Sequence, residues 1–142
     1  MRVLGIDYGD ARIGIALSDP LWITAQAYEV IDRKKVVDPI ARIADIISIN
    51  DVGRLVIGLP VHMNGSMGER VEQTKIFARQ LESVVGLPME WVDERLTTVS
   101  AEKLLIQSDV RRGKRKKVVD KIAAALILQT YLESKGRTQH DG

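Results

Sequence analysis

The sequence predicts an α/β domain: a mixed five-stranded sheet with helices on both faces. Three observations carry this. Strand-like segments at 2–8, 12–18 and 24–31 come first and are joined by short links, which makes them an antiparallel meander. Strand and helix patterns then alternate in the manner of βα units. The Gly9–Ala11 link between the first two strands is far shorter than the roughly dozen residues a parallel crossover needs, which excludes a purely parallel doubly wound sheet.

The elements follow in order. RVLGIDY (2–8) and RIGIALS (12–18) read as buried strands around a tight turn, and TAQAYEVI (24–31) as a third strand. A helix over 37–50 is marked by Ile40, Ile43, Ala44 and Ile47 at helical spacing. RLVIGL (54–59) is a short buried strand stopped by Pro60. Ser66 and Glu69 form a capping-box pair that opens a helix to about Val85, ended by Gly86-Leu87-Pro88. MEWVD (89–93) is the fifth strand. Thr97 or Thr98 caps a helix through about Gln107, and a closing helix runs from about Lys117 to Ser134. Residues 136–142 read as a flexible tail of a single domain spanning 1–142. Trp22 and Trp91 read as core or edge packing.

The composition narrows the chemistry. With no cysteine, a disulfide framework, a Cys-ligated zinc site, an iron–sulfur cluster and a thiol nucleophile are excluded. The two histidines, His62 and His140, lie far apart, which argues against a His-based metal site or triad. His62 reads first as a surface-loop histidine. No apolar run approaches about 20 residues, so no membrane span is expected. The N-terminus enters directly into a Val-Leu-Gly-Ile pattern with no signal peptide, and the cytoplasm is the expected compartment.

The net charge of +2 hides an asymmetry. Residues 111–121 hold Arg111, Arg112, Lys114, Arg115, Lys116, Lys117 and Lys121 against one acid, so the segment carries +6 and the rest of the chain −4. A block this dense reads either as a solvated surface feature or as a polyanion contact. Aromatic residues make up only 4% of the chain, so backbone-directed recognition fits better than a base-stacking platform.

Four acids stand at chemically suggestive places. Asp7 shares a strand face with Val3 and Gly5 and interrupts an apolar run, where a carboxylate is costly unless paired or bound to a cation. Asp93 and Glu94 end the fifth strand, and Asp120 sits in the first turn of the closing helix. Singly, each has a structural reading as turn acceptor, loop cap or helix-dipole acid. Together, with the first strand central, they converge on an all-oxygen cluster of the kind that suits Mg²⁺ or Mn²⁺ and serves phosphoryl chemistry. Gly5, Gly9 and Gly14 would let a ligand approach closely, with Arg12 and Ser18 contacting phosphate. Ala123, Ala124 and Ala125 let the closing helix pack tightly. The loop Gly58–Ser66 leads to a helix N-terminus, a standard seat for phosphate, but no Walker-type Gly-Lys-Ser/Thr occurs.

GIDYGDARIG around Asp7, GLPVHMNGS at 58–66, DERLTT at 93–98 and VVDKIAAALILQTYL at 118–132 resemble, in order and over nearly the whole chain, the YqgF-type family. These proteins are Holliday-junction-resolvase-like and are also described as pre-16S rRNA nucleases. The resemblance implies an RNase H-like fold and a divalent-metal nuclease, with Asp7, Glu94 (or Asp93) and Asp120 as acidic ligands of Mg²⁺ or Mn²⁺. It implies maturation of the 5′ end of precursor 16S rRNA, with Holliday junction resolution of branched DNA as the alternative. Arg12, Arg95 and the basic block are then assigned to nucleic-acid phosphates. A monomer is expected, with a dimer required if the protein resolves junctions. The sequence departs from RuvC-type relatives in one respect. They carry an acid at the end of the fourth strand, where this chain has Gly58-Leu59-Pro60, so the second carboxylate must come from Asp93-Glu94. Two competing readings are an actin-like ATPase, whose first phosphate loop Asp7-Tyr8-Gly9 and Gly14 resemble, and a non-catalytic nucleic-acid-binding module.

Overall fold

The computed structural model describes residues 1–60, 68–94 and 122–135. The strands are β1 (Arg2–Tyr8), β2 (Arg12–Ser18), β3 (Ala25–Asp32), β4 (Val52–Leu59) and β5 (Met89–Asp93). The helices are α1 (Pro39–Ile49), α2 (Glu69–Val85) and α3, residues 122–135. The sheet order is β3-β2-β1-β4-β5. β1, β2 and β3 pair antiparallel as the expected meander, while β4 and β5 add in parallel. The central place of β1 follows from that order: β2 pairs with one edge and β4 with the other.

Strand alternation sorts the side chains onto two faces. On one face, Leu4, Ile6, Ile13 and Ile15 pack against Ile43 and Ile46 of α1 and Phe77 and Leu81 of α2. On the other, Val3, Ala16, Val56 and Val92 pack against Ala124, Ile127, Leu128 and Tyr131 of α3. Ile43 and Ile46 are fully buried, and burial of each stabilises the fold by about 1.5–3 kcal/mol. Helices on both faces are therefore observed as expected.

Several element boundaries move for local reasons. α1 begins at Pro39, whose fixed φ suits the first helical position, and the Asp38 carboxylate caps it by accepting from the Ala41 amide at 3.1 Å. β4 begins at Val52 because that residue already pairs with Arg2. β3 runs one residue later than expected, to Asp32, which pairs with Arg12. Ser66 of the expected capping box lies outside the described residues. α2 starts at Glu69 with Gly68 as its N-cap and no side-chain cap bond, so Glu69 is the first helical residue and not the third. Glu69 and Glu72 in its first turn favour the helix dipole. Gly86 closes the helix in the left-handed conformation, at φ 64, donating to the Glu82 carbonyl at 2.8 Å.

Trp22 anchors the β2–β3 loop. It sits at φ 62, its Nε1 donates to the Met1 carbonyl at 2.8 Å, and its ring lies against Tyr131. Trp91, on the β5 edge, is exposed. Asp19 organises the same loop by accepting from the amides of Ile23 and Thr24, each at 2.7 Å. The Thr24 bond leads in holding the Asp19 carboxyl below its ordinary range. Among the described residues, no helix is long and apolar enough to cross a membrane. The helix expected over 97–107 and the tail at 136–142 lie outside the described residues.

Candidate metal centre

The site is built at the end of the sheet where β1, β4 and β5 finish. Asp7 is the penultimate residue of β1 and stands opposite Gly14 of β2. By alternation it faces α3, the side occupied by Val3. Val92 faces the same way, so Glu94 follows it onto that face and Asp93 takes the opposite one. The Glu94 amide continues the ladder by donating to the Leu59 carbonyl at 3.1 Å.

β4 lies between the strands that carry the two acids, and Gly58 bridges that gap. It is one residue beyond the Ile6/Ile57 pair and directly beside Val92 of β5. A Cβ at Gly58 would lie 2.7 Å from Glu94 Oε1, 2.8 Å from Glu94 Cγ and 2.5 Å from Ile127 Cδ1. The missing side chain is thus the space through which Glu94 crosses β4 and hydrogen-bonds Asp7. The position lacking the expected strand-four acid is the position that admits Glu94.

Burial, then the hydrogen bond to Asp7 and its negative charge, push the Glu94 carboxyl up to about 9. The Arg70 guanidinium pulls in the other direction, and Asp93 adds a smaller push upward. At neutral pH the pair holds a proton that a cation could replace. The donors are carboxylate oxygens without sulfur or imidazole, which fits a hard divalent ion. Among the described residues, no group of three or more acidic or histidine side chains assembles to hold a metal. Asp120, the third expected ligand, lies outside the described residues, as do Arg95, Arg111, Arg112, Lys114, Arg115, Lys116, Lys117 and Lys121. Ser66 of the Gly58–Ser66 loop, and His62 within it, lie outside them too.

The remaining expectations divide. Arg12 opens β2 two residues before Gly14, so it shares the Asp7 face at the same end of the sheet. Ser18 does not belong to the site. It lies at the other end of β2, is buried, and its hydroxyl accepts from the Val3 amide at 2.8 Å while donating to the Asp19 carbonyl at 2.9 Å. Gly5 makes room for a helix and not for a ligand: a Cβ there would lie 2.8 Å from Leu128 Cβ and 3.0 Å from the Ala124 carbonyl. Gly9 serves the hairpin turn, where a Cβ would lie 2.5 Å from the Arg12 carbonyl. Ala124 is fully buried in the α3 contact, and Ala125 packs against the same cluster.

Sequence reasoning missed Arg70. It lies in the first turn of α2, its Nη2 donates to the Tyr8 carbonyl at 3.4 Å, and it acts electrostatically on Glu94. A cation in the first turn of a helix opposes the macrodipole, and that was the available signal.

Similar known proteins bear on the family and the fold. A family profile described as RuvX, Holliday junction resolvase, matches residues 1–134. A protein of Desulforamulus reducens named "Putative pre-16S rRNA nuclease" is 52% identical over 134 residues, covering 94% of this chain and 98% of that protein. Proteins of the same name from Pelotomaculum thermopropionicum and Streptococcus pneumoniae are 47% and 46% identical, covering 99% and 95% of this chain and 92% and 99% of theirs. Among solved structures, Thermus thermophilus RuvC is similar with a TM-score of 0.57 at 13% identity, over 97% of this chain and 98% of that one. The fowlpox virus Holliday junction resolvase is similar with a TM-score of 0.56 at 16% identity, over 94% of this chain and 99% of that one. At such identities these two likenesses show the fold alone, which is RNase H-like. The chain belongs to the RuvX (YqgF-type) Holliday junction resolvase family, a family of nucleases.

Proposed function

We propose that the protein is a divalent-metal-dependent endonuclease that hydrolyses phosphodiester bonds in the 5′-end maturation of precursor 16S rRNA. The observation that carries this reading is the Asp7–Glu94 carboxyl pair, brought together across Gly58 at the end of the sheet. The names of relatives at 46–52% identity support the substrate. Asp7, Glu94 and Asp120 are the residues that would hold Mg²⁺ or Mn²⁺. Of the Asp93–Glu94 alternatives, Glu94 is favoured because it meets Asp7. When bound, the ion supplies Lewis-acid polarisation of the scissile phosphate and a nucleophilic water at neutral pH.

The chain's own residues do the rest. Asp7 and Glu94 present oxygen donors from two strands that cannot shift independently, because β1, β4 and β5 are locked in one ladder. Glu94 gives up its proton when the pair is loaded, so loading is coupled to pH. Arg12, on the Asp7 face, and Arg95 with the basic block of 111–121 bind flanking phosphates. On this reading the protein works in the cytoplasm, and as a monomer.

The test is incubation with precursor small-subunit RNA in the presence of Mg²⁺ or Mn²⁺, with Asp7→Asn as the control. Metal-dependent cleavage by the native chain and none by Asp7→Asn is the expected result. Undiminished cleavage by the variant overturns the site. The second reading is Holliday junction resolution, favoured by the description of the matching family. A four-way DNA junction in the same assay distinguishes it. Paired incisions by a sedimenting dimer would establish resolution, and a strict monomer disfavours it.

A further inference from the structure

We propose that the cavity between the β1–β2 turn and α2 seats the base of one unpaired nucleotide flanking the scissile phosphate, with Arg70, which reaches the Tyr8 carbonyl beside it, holding that nucleotide's phosphate. This rests on the nuclease reading above and deepens it, because it commits the substrate to being single-stranded at the cut.

The first argument is position. Tyr8 directly follows Asp7 on β1, so its side chain lies on the other face of the sheet at the same end. A cavity of about 330 Å³ opens there, at the lower end of the ~300–1,000 Å³ typical of small-ligand sites. Arg70 marks the boundary between the two faces. Its guanidinium reaches the Tyr8 carbonyl at 3.4 Å and acts on Glu94. A polynucleotide strand passing over the end of β1 would place one phosphate at Asp7 and Glu94, the next beside Arg70, and the intervening base over the cavity.

The second argument is chemistry. The cavity wall carries Arg33, held in place by its own contacts: Nη1 donates to the Gly9 carbonyl at 3.0 Å and the Asp10 carbonyl at 3.2 Å. Its guanidinium lies 5.0 Å from the centre of the Tyr8 ring, which packs in turn on Phe77 at 4.5 Å. Both rings are buried, so the plane left for an unpaired base to stack on is the half-buried Arg33 guanidinium, held flat by the Tyr8 ring beneath it. Gln73 and Gln80 line the same space with amides able to donate and accept, and Ile76, 48% exposed, offers apolar surface for a base to cover. Asp10 also lines it. Its carboxylate offsets the Arg33 charge, so the cavity presents no net cation to a phosphate, and it accepts from the amino groups of a base. The base therefore belongs in the cavity and the phosphate at Arg70. A base held in a duplex cannot enter without being extruded, which adds an unstacking cost.

The experiment measures binding of short single-stranded oligonucleotides in which one abasic position is walked along the sequence, in RNA and DNA versions. The Asp7→Asn chain is used so that nothing is cut. An abasic site at one position is expected to weaken binding about tenfold. Adding Gln73→Ala and Gln80→Ala, both exposed helix positions, should remove that sensitivity while leaving the melting temperature unchanged. The fully paired duplex should show no sensitive position. The RNA and DNA arms show which sugar the groove accepts, and base dependence in either supports it. Absence of any sensitive position, or equal sensitivity with and without the glutamines, overturns the groove. Base-independent binding together with metal-dependent cleavage by the native chain sinks the groove and leaves the nuclease reading standing. Base-dependent binding without any cleavage by the native chain does the reverse.

Discussion

Glu94 reaches Asp7 across a strand that belongs to neither of them, and it can do so because residue 58 has no side chain. β4 separates β1 from β5 by a full strand spacing on each side, about 4.8 Å. A long glutamate side chain spans that distance where a shorter aspartate would not. In this sheet an acid just past β5 thus meets the acid of β1 with no acid on β4.

Gly58→Ala should therefore disable the site through Glu94. The new methyl group meets Glu94 Oε1, Glu94 Cγ and Ile127 Cδ1. Overpacking of this kind costs about 1–3 kcal/mol, so the variant should still fold with a lowered melting temperature. Cleavage should fall by far more than the folded fraction does, and Mn²⁺ affinity, read by calorimetry, should fall with it. Native metal affinity in a folded Gly58→Ala protein would refute the crossing.

The acid pair makes metal-free stability depend on pH. Glu94 titrates at about 9 in the folded chain against an ordinary 4.5. Between those values the folded state holds a proton that the unfolded state has released, so stability falls as pH rises through this window. Glu94→Gln keeps a neutral side chain and should flatten that fall in chemical denaturation across the window. Over the same range, Mn²⁺ affinity of the native chain should rise, approaching about tenfold per pH unit where one proton leaves per ion bound. A native affinity independent of pH would show that Glu94 does not exchange its proton for the ion.

The Glu29–Arg42 pair predicts the opposite dependence. Arg42 Nε and Nη2 donate to the two Glu29 oxygens at 2.9 and 2.6 Å, clipping the β3 edge strand to α1. The hydrogen bond to Arg42 is the main reason the Glu29 carboxyl titrates below its ordinary 4.5. Its contribution is present above that value and is lost as pH falls through the depressed one. Glu29→Gln should therefore lower the melting temperature slightly at neutral pH and match the native chain in acid.

Gly5→Ala probes the seat of α3. Its methyl group meets Leu128 Cβ and the Ala124 carbonyl, and the latter is backbone that cannot rotate aside. A loss of about 1–3 kcal/mol is expected in denaturant melts. Since α3 also carries Ile127 against Gly58, cleavage should fall as well. An unaltered melt would show that the helix is not seated on Gly5.

Neutralising Arg111, Arg112 and Lys114 together should weaken nucleic-acid binding. It should make the slope of log affinity against log salt shallower by roughly two on single strands, at about 0.7 per lost phosphate contact. An unchanged slope would remove the basic block from the interface.

Local sequence determined most of the framework. Period-two apolar runs, the short Gly9–Ala11 turn, Pro60 and Gly86-Leu87-Pro88 placed all five strands to within two residues and required the meander. They also put Asp7 on the face of Val3, because strand alternation is a property of the backbone alone. Which side chains meet was decided only by the tertiary structure. That Glu94 meets Asp7 depends on β4 lying between β1 and β5 and on the empty position at Gly58. Ser18 reads as a phosphate contact in sequence, but the antiparallel register carries it to the far end of the sheet, where its hydroxyl accepts from the Val3 amide. Gly5 looked open to a ligand until α3 closed over it. Arg70 gained its meaning from the approach of α2 to the end of β1. Turn chemistry and periodicity act over a few neighbouring residues, whereas each of these contacts joins residues distant in the chain, and strand order and close packing set them.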